Sequence, residues 1–192
     1  MDDIAKDKVP YSKVIRSQLI LCVLGLLLAR WQDKLNSFSG LEDILQGLLL
    51  AGAMMLALLL IEKCLPFLKE AINRDLAKYQ SLIGHFGYLQ LALIGVLAGV
   101  SEEWLFRGFL QNWLVGLLDF EGWTPHLGII LAAICFGALH GLSWVYFLMT
   151  FAMGLLFGYV YQASDSLMLV VVWHGFYDVL ALCWLKKNNW QL

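Results

Sequence analysis

GHFGYLQLALIGVLAGVSEEWLFRGFLQNWLVGLL, residues 84–118, is a long apolar stretch that contains no proline. As one helix it would be about 52 Å long, because each helical residue adds about 1.5 Å. A bilayer is about 40–45 Å thick including its headgroups, so such a helix must tilt or protrude. The stretch therefore predicts a membrane-spanning helix, with Ser101 and Glu102 near its midpoint.

The composition of the whole chain also indicates a membrane protein. Of the 192 residues, 60% are hydrophobic and 15% are charged, whereas soluble domains average about 45–50% and about 25%. A soluble domain of this size cannot bury so much apolar surface. The apolar residues occur in runs separated by short polar stretches, as in a multi-span helical protein. The net charge of −2 gives no indication of a nucleic-acid partner.

We predict an all-α fold, a polytopic transmembrane helical bundle of about six spans in one membrane domain. The predicted spans cover residues 15–31, 44–61, 84–118, 126–141, 144–163 and 167–185. Residues 65–80 alternate apolar and charged residues, which predicts an amphipathic helix at the membrane interface. We divide the chain into residues 1–80, with two spans and the interfacial helix, and residues 81–192, with the remaining spans.

Basic residues predict the orientation of the bundle. If the N-terminus is cytoplasmic, every Lys and Arg except Arg30, Lys34 and Arg107 falls on the cytoplasmic side, in agreement with the positive-inside rule. Both termini are then cytoplasmic. Arg30 and Trp31 stand where a signal peptide would have its small-residue cleavage site, so we expect the first span to be retained.

Ionisable residues inside the predicted spans are the most informative feature of the sequence. They are Glu102, Glu103, Arg107, His140, His174 and Asp178. A charge at mid-bilayer costs about 2.5–3.5 kcal/mol, so such residues must pair, face a wet cavity or take part in chemistry. Glu103 and Arg107 share a helix face and predict a structural ion pair. The alternative for Arg107 is a clamp for a substrate carboxylate.

The remaining four residues have both a structural and a catalytic interpretation. Glu102 points about 100° away from Glu103 and has no local partner, which suits a general base or a hydrogen-bonded core glutamate. His140 ends an apolar run, where a lone histidine is more often interfacial than catalytic. Asp178 shares a face with His174 and can orient its imidazole, or the two can form a purely structural hydrogen bond.

Three spans contribute to this set, so their packing decides its function. If they converge, the carboxylates and imidazoles can activate water for attack on a peptide carbonyl and stabilise the oxyanion. The same side chains can bind a divalent zinc ion, although the HExxH motif is absent. The candidate metal ligands are Glu102, His140, His174 and Asp178.

Three motifs resemble the CAAX-protease and bacteriocin-processing (CPBP, or Abi) family. Residues 102–108, EEWLFRG, resemble its EExxxR motif, and residues 136–140, FGALH, resemble its FxxxH motif. Residues 174–178, HGFYD, resemble its third motif, HxxxN or HxxxD. The motifs occur in the family's order, and the resemblance covers residues 84–185.

The resemblance implies an intramembrane endopeptidase. Glu102 would be the base that activates water together with His140, and His174 and Asp178 would form the oxyanion site. The Glu103–Arg107 pair would support this site, which would lie in a membrane cavity reached from the cytoplasm. The implied substrate is a membrane-anchored peptide or protein, prenylated or bacteriocin-like, in the lipid bilayer. Because the family has many bacterial members, we expect a bacterial plasma membrane.

Asp178 departs from the prenyl-protein proteases, which have asparagine at this position. An ionised aspartate would repel an oxyanion, so Asp178 must be protonated, orient His174 or bind a metal. Whether the family uses a metal is disputed, so the cofactor stays open, with zinc as the candidate. Two other functions stay open as well: a non-catalytic regulator or immunity protein that binds a partner membrane protein, and a proton-coupled transporter.

Overall fold

A computed structural model describes residues 8–34, 40–118 and 124–188, and these ranges contain helices and no strand. The helices are α1 (Tyr11–Trp31), α2 (Leu41–Cys64), α3 (Pro66–Ile83), α4 (Tyr88–Leu117), α5 (Thr124–Leu139), α6 (Trp144–Ser164) and α7 (Leu167–Lys187). The predicted all-α fold is confirmed. The cytoplasmic location of the termini stays a prediction, and residues 1–7 and 189–192 lie outside the described ranges.

In the part of the chain that the structure describes, five helices are long and apolar enough to cross a membrane, namely α1, α2, α4, α6 and α7. The predicted span at residues 126–141 corresponds to α5, whose 16 residues extend about 24 Å, less than the hydrocarbon core of about 30 Å. The bundle therefore combines five full-length helices with one shorter apolar helix. Helix α3 corresponds to the predicted amphipathic segment, and its place at the membrane interface stays a prediction.

Helix α4 is shorter than the predicted 84–118 segment, because it begins at Tyr88. The side-chain oxygen of Gln90 accepts a hydrogen bond from the backbone N–H of Gly87 at 2.9 Å, which caps the helix at this point. The 30 residues of α4 span about 45 Å. The observed helix therefore does not exceed the thickness of a bilayer, in contrast to the longer predicted segment.

A π-helical segment, Trp104–Gln111, interrupts the α-helical pattern of α4. Such segments are rare and often occur at functional sites. The side-chain amide of Asn112 lies within hydrogen-bonding distance of the carbonyl oxygens of Arg107 and Gly108. It is also 3.0 Å from the hydroxyl of Tyr161 on α6. In the widened turn, these contacts supply hydrogen-bond partners that a regular helix would obtain from its own backbone.

Glycines allow α4 and α7 to cross at very short distance. A Cβ atom added to Gly99 would lie 2.4 Å from the backbone nitrogen of Gly175, and one added to Gly95 would lie 2.8 Å from that of Val179. Larger residues would push the helices apart. The crossing brings Glu103 of α4 next to His174 of α7, and so positions the residues of the candidate site.

The two N-terminal spans pack directly on this crossing. A Cβ atom on Gly25 of α1 would lie 3.0 Å from the carbonyl oxygen of Ser101, and one on Gly47 of α2 would lie 2.8 Å from that of Leu169. Helices α1 and α2 therefore form the outer support of α4 and α7. The division of the chain into residues 1–80 and 81–192 stays a prediction.

Candidate active site

Glu102, His140, His174 and Asp178 lie together where α4, the end of α5 and α7 meet. The Oε2 atom of Glu102 is 3.4 Å from Nε2 of His140 and 4.0 Å from Nε2 of His174. The same His174 nitrogen is 3.6 Å from Oδ2 of Asp178. The four side chains come from three separate segments, namely α4, the turn directly after α5 and α7, as the catalytic interpretation requires, while the role of each stays a prediction.

Glu103 binds both Arg107 and His174. Its Oε1 atom accepts a hydrogen bond from Nη1 of Arg107 at 2.9 Å and lies 2.7 Å from Nδ1 of His174. The sequence suggested Asp178 as the residue that orients His174, but the atom bonded to Nδ1 belongs to Glu103. Glu103 is on another helix, so the spacing of residues along α7 could not predict this contact.

The guanidinium of Arg107 is enclosed in the bundle and does not line the cavity. Its Nη2 atom donates to the carbonyl oxygen of Gly154 at 2.8 Å. Its central carbon lies 4.9 Å from the ring centre of Phe136 and 5.3 Å from that of Phe157, within the range of cation–π attraction. Arg107 is only 1% exposed, which favours an internal ion pair over a substrate clamp.

Both imidazoles direct their Nε2 atoms toward Glu102. Nδ1 of His140 lies 2.8 Å from the carbonyl oxygen of Phe136, and Nδ1 of His174 faces the Glu103 carboxylate. Because a carbonyl and a carboxylate oxygen only accept hydrogen bonds, each Nδ1 carries the donated proton. Nε2 of each ring then faces the cluster, where in the neutral imidazole it is an acceptor.

A cavity of about 280 Å³ adjoins this cluster. Glu102, His140, His174 and Asp178 all line it, whereas Glu103 does not and is fully buried. Apolar side chains form much of the remaining wall, including Met149, Met153 and Leu182. The arrangement can hold water next to the carboxylate and an apolar chain beside it.

Helix α3 supplies residues of this cavity that the sequence interpretation missed. Tyr79 of α3 lines it together with Tyr146 of α6, and their ring centres are 5.8 Å apart. No motif marked these tyrosines, and α3 precedes the region of family resemblance. The only available signal was the amphipathic pattern of α3, which indicates one buried face but no target for it.

The comparison with protein families identifies the motifs. The family described as "Type II CAAX prenyl endopeptidase Rce1-like" matches residues 84–180, half of the chain, including all three motifs. The chain belongs to this family. As a member of the Rce1-like endopeptidases it is assigned, at family level, to the CAAX-type proteases, and its five long apolar helices make it an integral membrane protein. The predicted family membership is confirmed.

One relative of this Rce1-like protein covers most of the chain. It is the Bacillus subtilis (strain 168) protein described as "Uncharacterized protein YpbD", 27% identical over 162 residues, which are 81% of this chain and 76% of the relative. No solved structure matches the chain at a significant level. The substrate, the bacterial plasma membrane and the orientation stay predictions.

The proposed zinc ligands do not form a metal-binding group in this geometry. Within the described ranges, no group of three or more His, Cys, Asp or Glu side chains is arranged to hold a metal ion. The ligand set suggested by the sequence thus lies together without the spacing of a preformed zinc site.

Proposed function

We propose that this protein is an intramembrane endopeptidase in which Glu102 activates a water molecule for attack on a peptide bond. The observation that carries the proposal is the position of the Glu102 carboxylate in the cavity, 3.4 Å from one imidazole and 4.0 Å from another. Its Oε2 atom is buried and has no hydrogen-bond partner among the described residues. A buried acceptor of this kind calls for a donor, and a water molecule supplies one.

The attacking water has two acceptors available to it. One hydrogen can point to the carboxylate of Glu102 and the other to Nε2 of His140, whose Nδ1 is engaged by the Phe136 carbonyl. A lone pair of the water oxygen is then free to face the substrate carbonyl. Holding the nucleophile in this way lowers the entropic barrier of the attack.

Hydrolysis follows as two proton transfers through one carboxylate. The water oxygen bonds to the carbonyl carbon while Glu102 takes one water proton. The tetrahedral intermediate then collapses, the C–N bond breaks, and Glu102 returns its proton to the leaving nitrogen. The products are a carboxylic acid and an amine, and Glu102 is restored as a carboxylate.

The proposed role of His174 is to stabilise the developing oxyanion. Its Nδ1 proton is held by Glu103, so a proton on Nε2 would make the ring a cation flanked by carboxylates. In that form Nε2–H can donate to the oxyanion. Asp178, 3.6 Å from the same nitrogen, supports the cationic ring and is not itself the donor.

The proposed substrate is a membrane-anchored peptide, prenylated or bacteriocin-like, because the cavity combines the polar cluster with an apolar wall. The test measures cleavage in proteoliposomes, with a farnesylated peptide and a single-span peptide as probes. Glu102→Gln should lower kcat about 10²–10⁴-fold, the usual contribution of general acid–base catalysis. A parallel arm with a chelator such as 1,10-phenanthroline reports whether a metal is needed.

Glu62→Gln is the matched control, because Glu62 also lines the cavity, whereas the imidazoles of His140 and His174 lie beside Glu102. Its activity should stay close to that of the unmodified protein. Full activity of Glu102→Gln would contradict the proposal. A cellular phenotype that survives loss of both Glu102 and His140 would instead favour the regulator hypothesis, which stays a prediction.

A further inference from the structure

The polar groups next to Glu102 are mostly hydrogen-bond acceptors. Glu102 and Asp178 carry carboxylates, and a neutral His140 presents an unprotonated Nε2. Thr150 also lines the cavity, but its hydroxyl is directed to the carbonyl oxygens of Tyr146 and Phe147 in its own helix. A peptide carbonyl entering this space is itself an acceptor, so it needs donors beyond a single His174 proton.

Tyr79, Tyr146 and Tyr177 line this cavity, and the first two lie next to each other on different helices. Tyr79 of α3 and Tyr146 of α6 both line the cavity, with ring centres 5.8 Å apart. A phenolic hydroxyl is a neutral donor and approaches an oxyanion without charge repulsion. The tyrosines therefore offer the donor function that Asp178 cannot supply as a carboxylate.

A buried hydrogen bond fixes the position of α3. The hydroxyl of Ser143, at the beginning of α6, donates to Oδ2 of Asp75 on α3. Asp75 is 2% exposed, and it lies one helical turn before Tyr79. The contact attaches α3 to the loop that follows His140, and so restrains the helix that carries Tyr79.

The electrostatic surroundings of Tyr79 agree with a donor role. Burial raises the pKa of its hydroxyl, a hydrogen bond with Tyr146 opposes this, and the negative charges of Asp178, Glu102 and Asp75 raise it further. The phenol therefore keeps its proton at neutral pH. Tyr79, Asp178 and Glu102 all line the same cavity.

We propose that Tyr79, paired with Tyr146, is a substrate-contacting residue that donates a hydrogen bond to the scissile carbonyl as its oxygen becomes negative. Helix α3, which precedes the family match at residues 84–180, is then part of the active site. This inference rests on the endopeptidase function proposed above. It adds no covalent step, because the tyrosine hydroxyl keeps its proton while the oxyanion forms and collapses.

The test compares Tyr79→Phe, Tyr146→Phe and the double variant in proteoliposomes with the farnesylated and single-span peptides. Loss of one oxyanion donor typically lowers kcat about 10²–10³-fold. Because His174 and the second tyrosine remain, we expect each single variant to lower kcat about 10–100-fold. KM should change little, since the bond strengthens only in the transition state. The double variant should lose less than the product of the two single effects if the hydroxyls act together.

Tyr159→Phe is the matched control, because its hydroxyl lies 3.3 Å from Nδ1 of His126 and does not line the cavity. Its kcat should be unchanged. Unchanged kcat in both cavity variants would overturn the inference, and so would an equal loss in the control. If Tyr79→Phe does not fold, the Tyr146→Phe result decides. An inactive Glu102→Gln beside fully active tyrosine variants refutes this inference alone, whereas an active Glu102→Gln refutes the proposed function.

Discussion

Helices α7 and α3 both line the cavity, but the protein holds them in different ways. Helix α7 crosses α4 with almost no space between the backbones at Gly99 and Gly175, and its His174 is 3% exposed. Helix α3 lies against α2 and α6, carries exposed charges such as Glu70 and Arg74, and is not among the helices able to span a membrane. The residues proposed for proton transfer thus lie on the tightly packed side.

A serine that caps one helix and donates to an aspartate of another helix occurs both at α7 and at α6, with different consequences. Ser166 caps α7, and its hydroxyl donates to Asp43 of α2 at 2.6 Å. Ser143 caps α6, and its hydroxyl donates to Asp75 of α3. Asp43 belongs to a full-length span packed along α7, whereas Asp75 belongs to the amphipathic helix. One serine therefore joins two spans, and the other attaches a peripheral helix to the bundle.

The largest effect is expected at Glu103, which lies at the tightly packed crossing of α4 and α7. Glu103→Gln leaves the buried guanidinium of Arg107 without its carboxylate, and breaking a buried ion pair costs about 3–5 kcal/mol. His174 also loses the negatively charged partner of its Nδ1 proton. We expect a lower free energy of unfolding in detergent together with loss of peptidase activity. Glu70→Gln, at an exposed carboxylate on α3, is the control and should change neither.

A double variant separates the two roles of Glu103. In Glu103→Leu with Arg107→Met, an apolar pair replaces the buried charges, which is often neutral or stabilising. Stability should return while activity does not, because His174 still lacks its carboxylate partner. Recovery of both would show that Glu103 acts only through the ion pair.

A smaller effect is expected at the helix crossing. Gly99→Ala places a methyl group 2.4 Å from the backbone nitrogen of Gly175, so α4 and α7 must move apart at a cost of about 1–3 kcal/mol. Gly52→Ala on α2 is the control, because nothing lies within 4 Å of its added Cβ. Thermal unfolding in detergent should show a loss for Gly99→Ala only. Equal midpoints would contradict the tight crossing.

The smallest effects distinguish the two capping serines. Loss of a serine cap costs about 1 kcal/mol. We expect Ser166→Ala to lower the unfolding midpoint, whereas Ser143→Ala mainly increases amide hydrogen exchange in α3 and lowers kcat as Tyr79 loses its fixed position. If Ser143→Ala left exchange in α3 unchanged, Asp75 would not be the attachment point.

The sequence predicts the spans well because apolar runs are a local signal. It does not predict that α4 starts at Tyr88 or contains a π-helical segment. That segment depends on tertiary contacts, such as the amide of Asn112 reaching Tyr161 and the close approach of Gly108 to Ala29. Neither contact has a signature in residue spacing.

The residues of the candidate site can be predicted from the sequence only where they belong to recognisable motifs. Glu102, His140 and His174 are recognised from three short patterns, and the structure places them together. The hydrogen-bond partner of the His174 Nδ1 atom cannot be recognised in this way. Helical spacing on α7 indicates Asp178, whereas Glu103 lies 71 residues away in the sequence. Tyr79 is missed for the same physical reason, since only the fold brings α3 to the cavity.

The π-helical segment of α4 also determines how the chain tolerates length changes. A π-helical turn holds about one residue more than an α-helical turn, so a residue removed from Trp104–Gln111 would restore the ordinary turn and leave the residues beyond it in phase with those before it. Gln111 would then keep its bond to the carbonyl oxygen of Gly158, now 3.1 Å, and Glu102, the proposed base, would still face the cavity. A residue removed from the α-helical part Tyr88–Glu103 would instead rotate everything beyond it by about 100°. A one-residue deletion should therefore be tolerated within the π-helical segment and not before it, where the second half of the helix would turn its polar residues toward lipid.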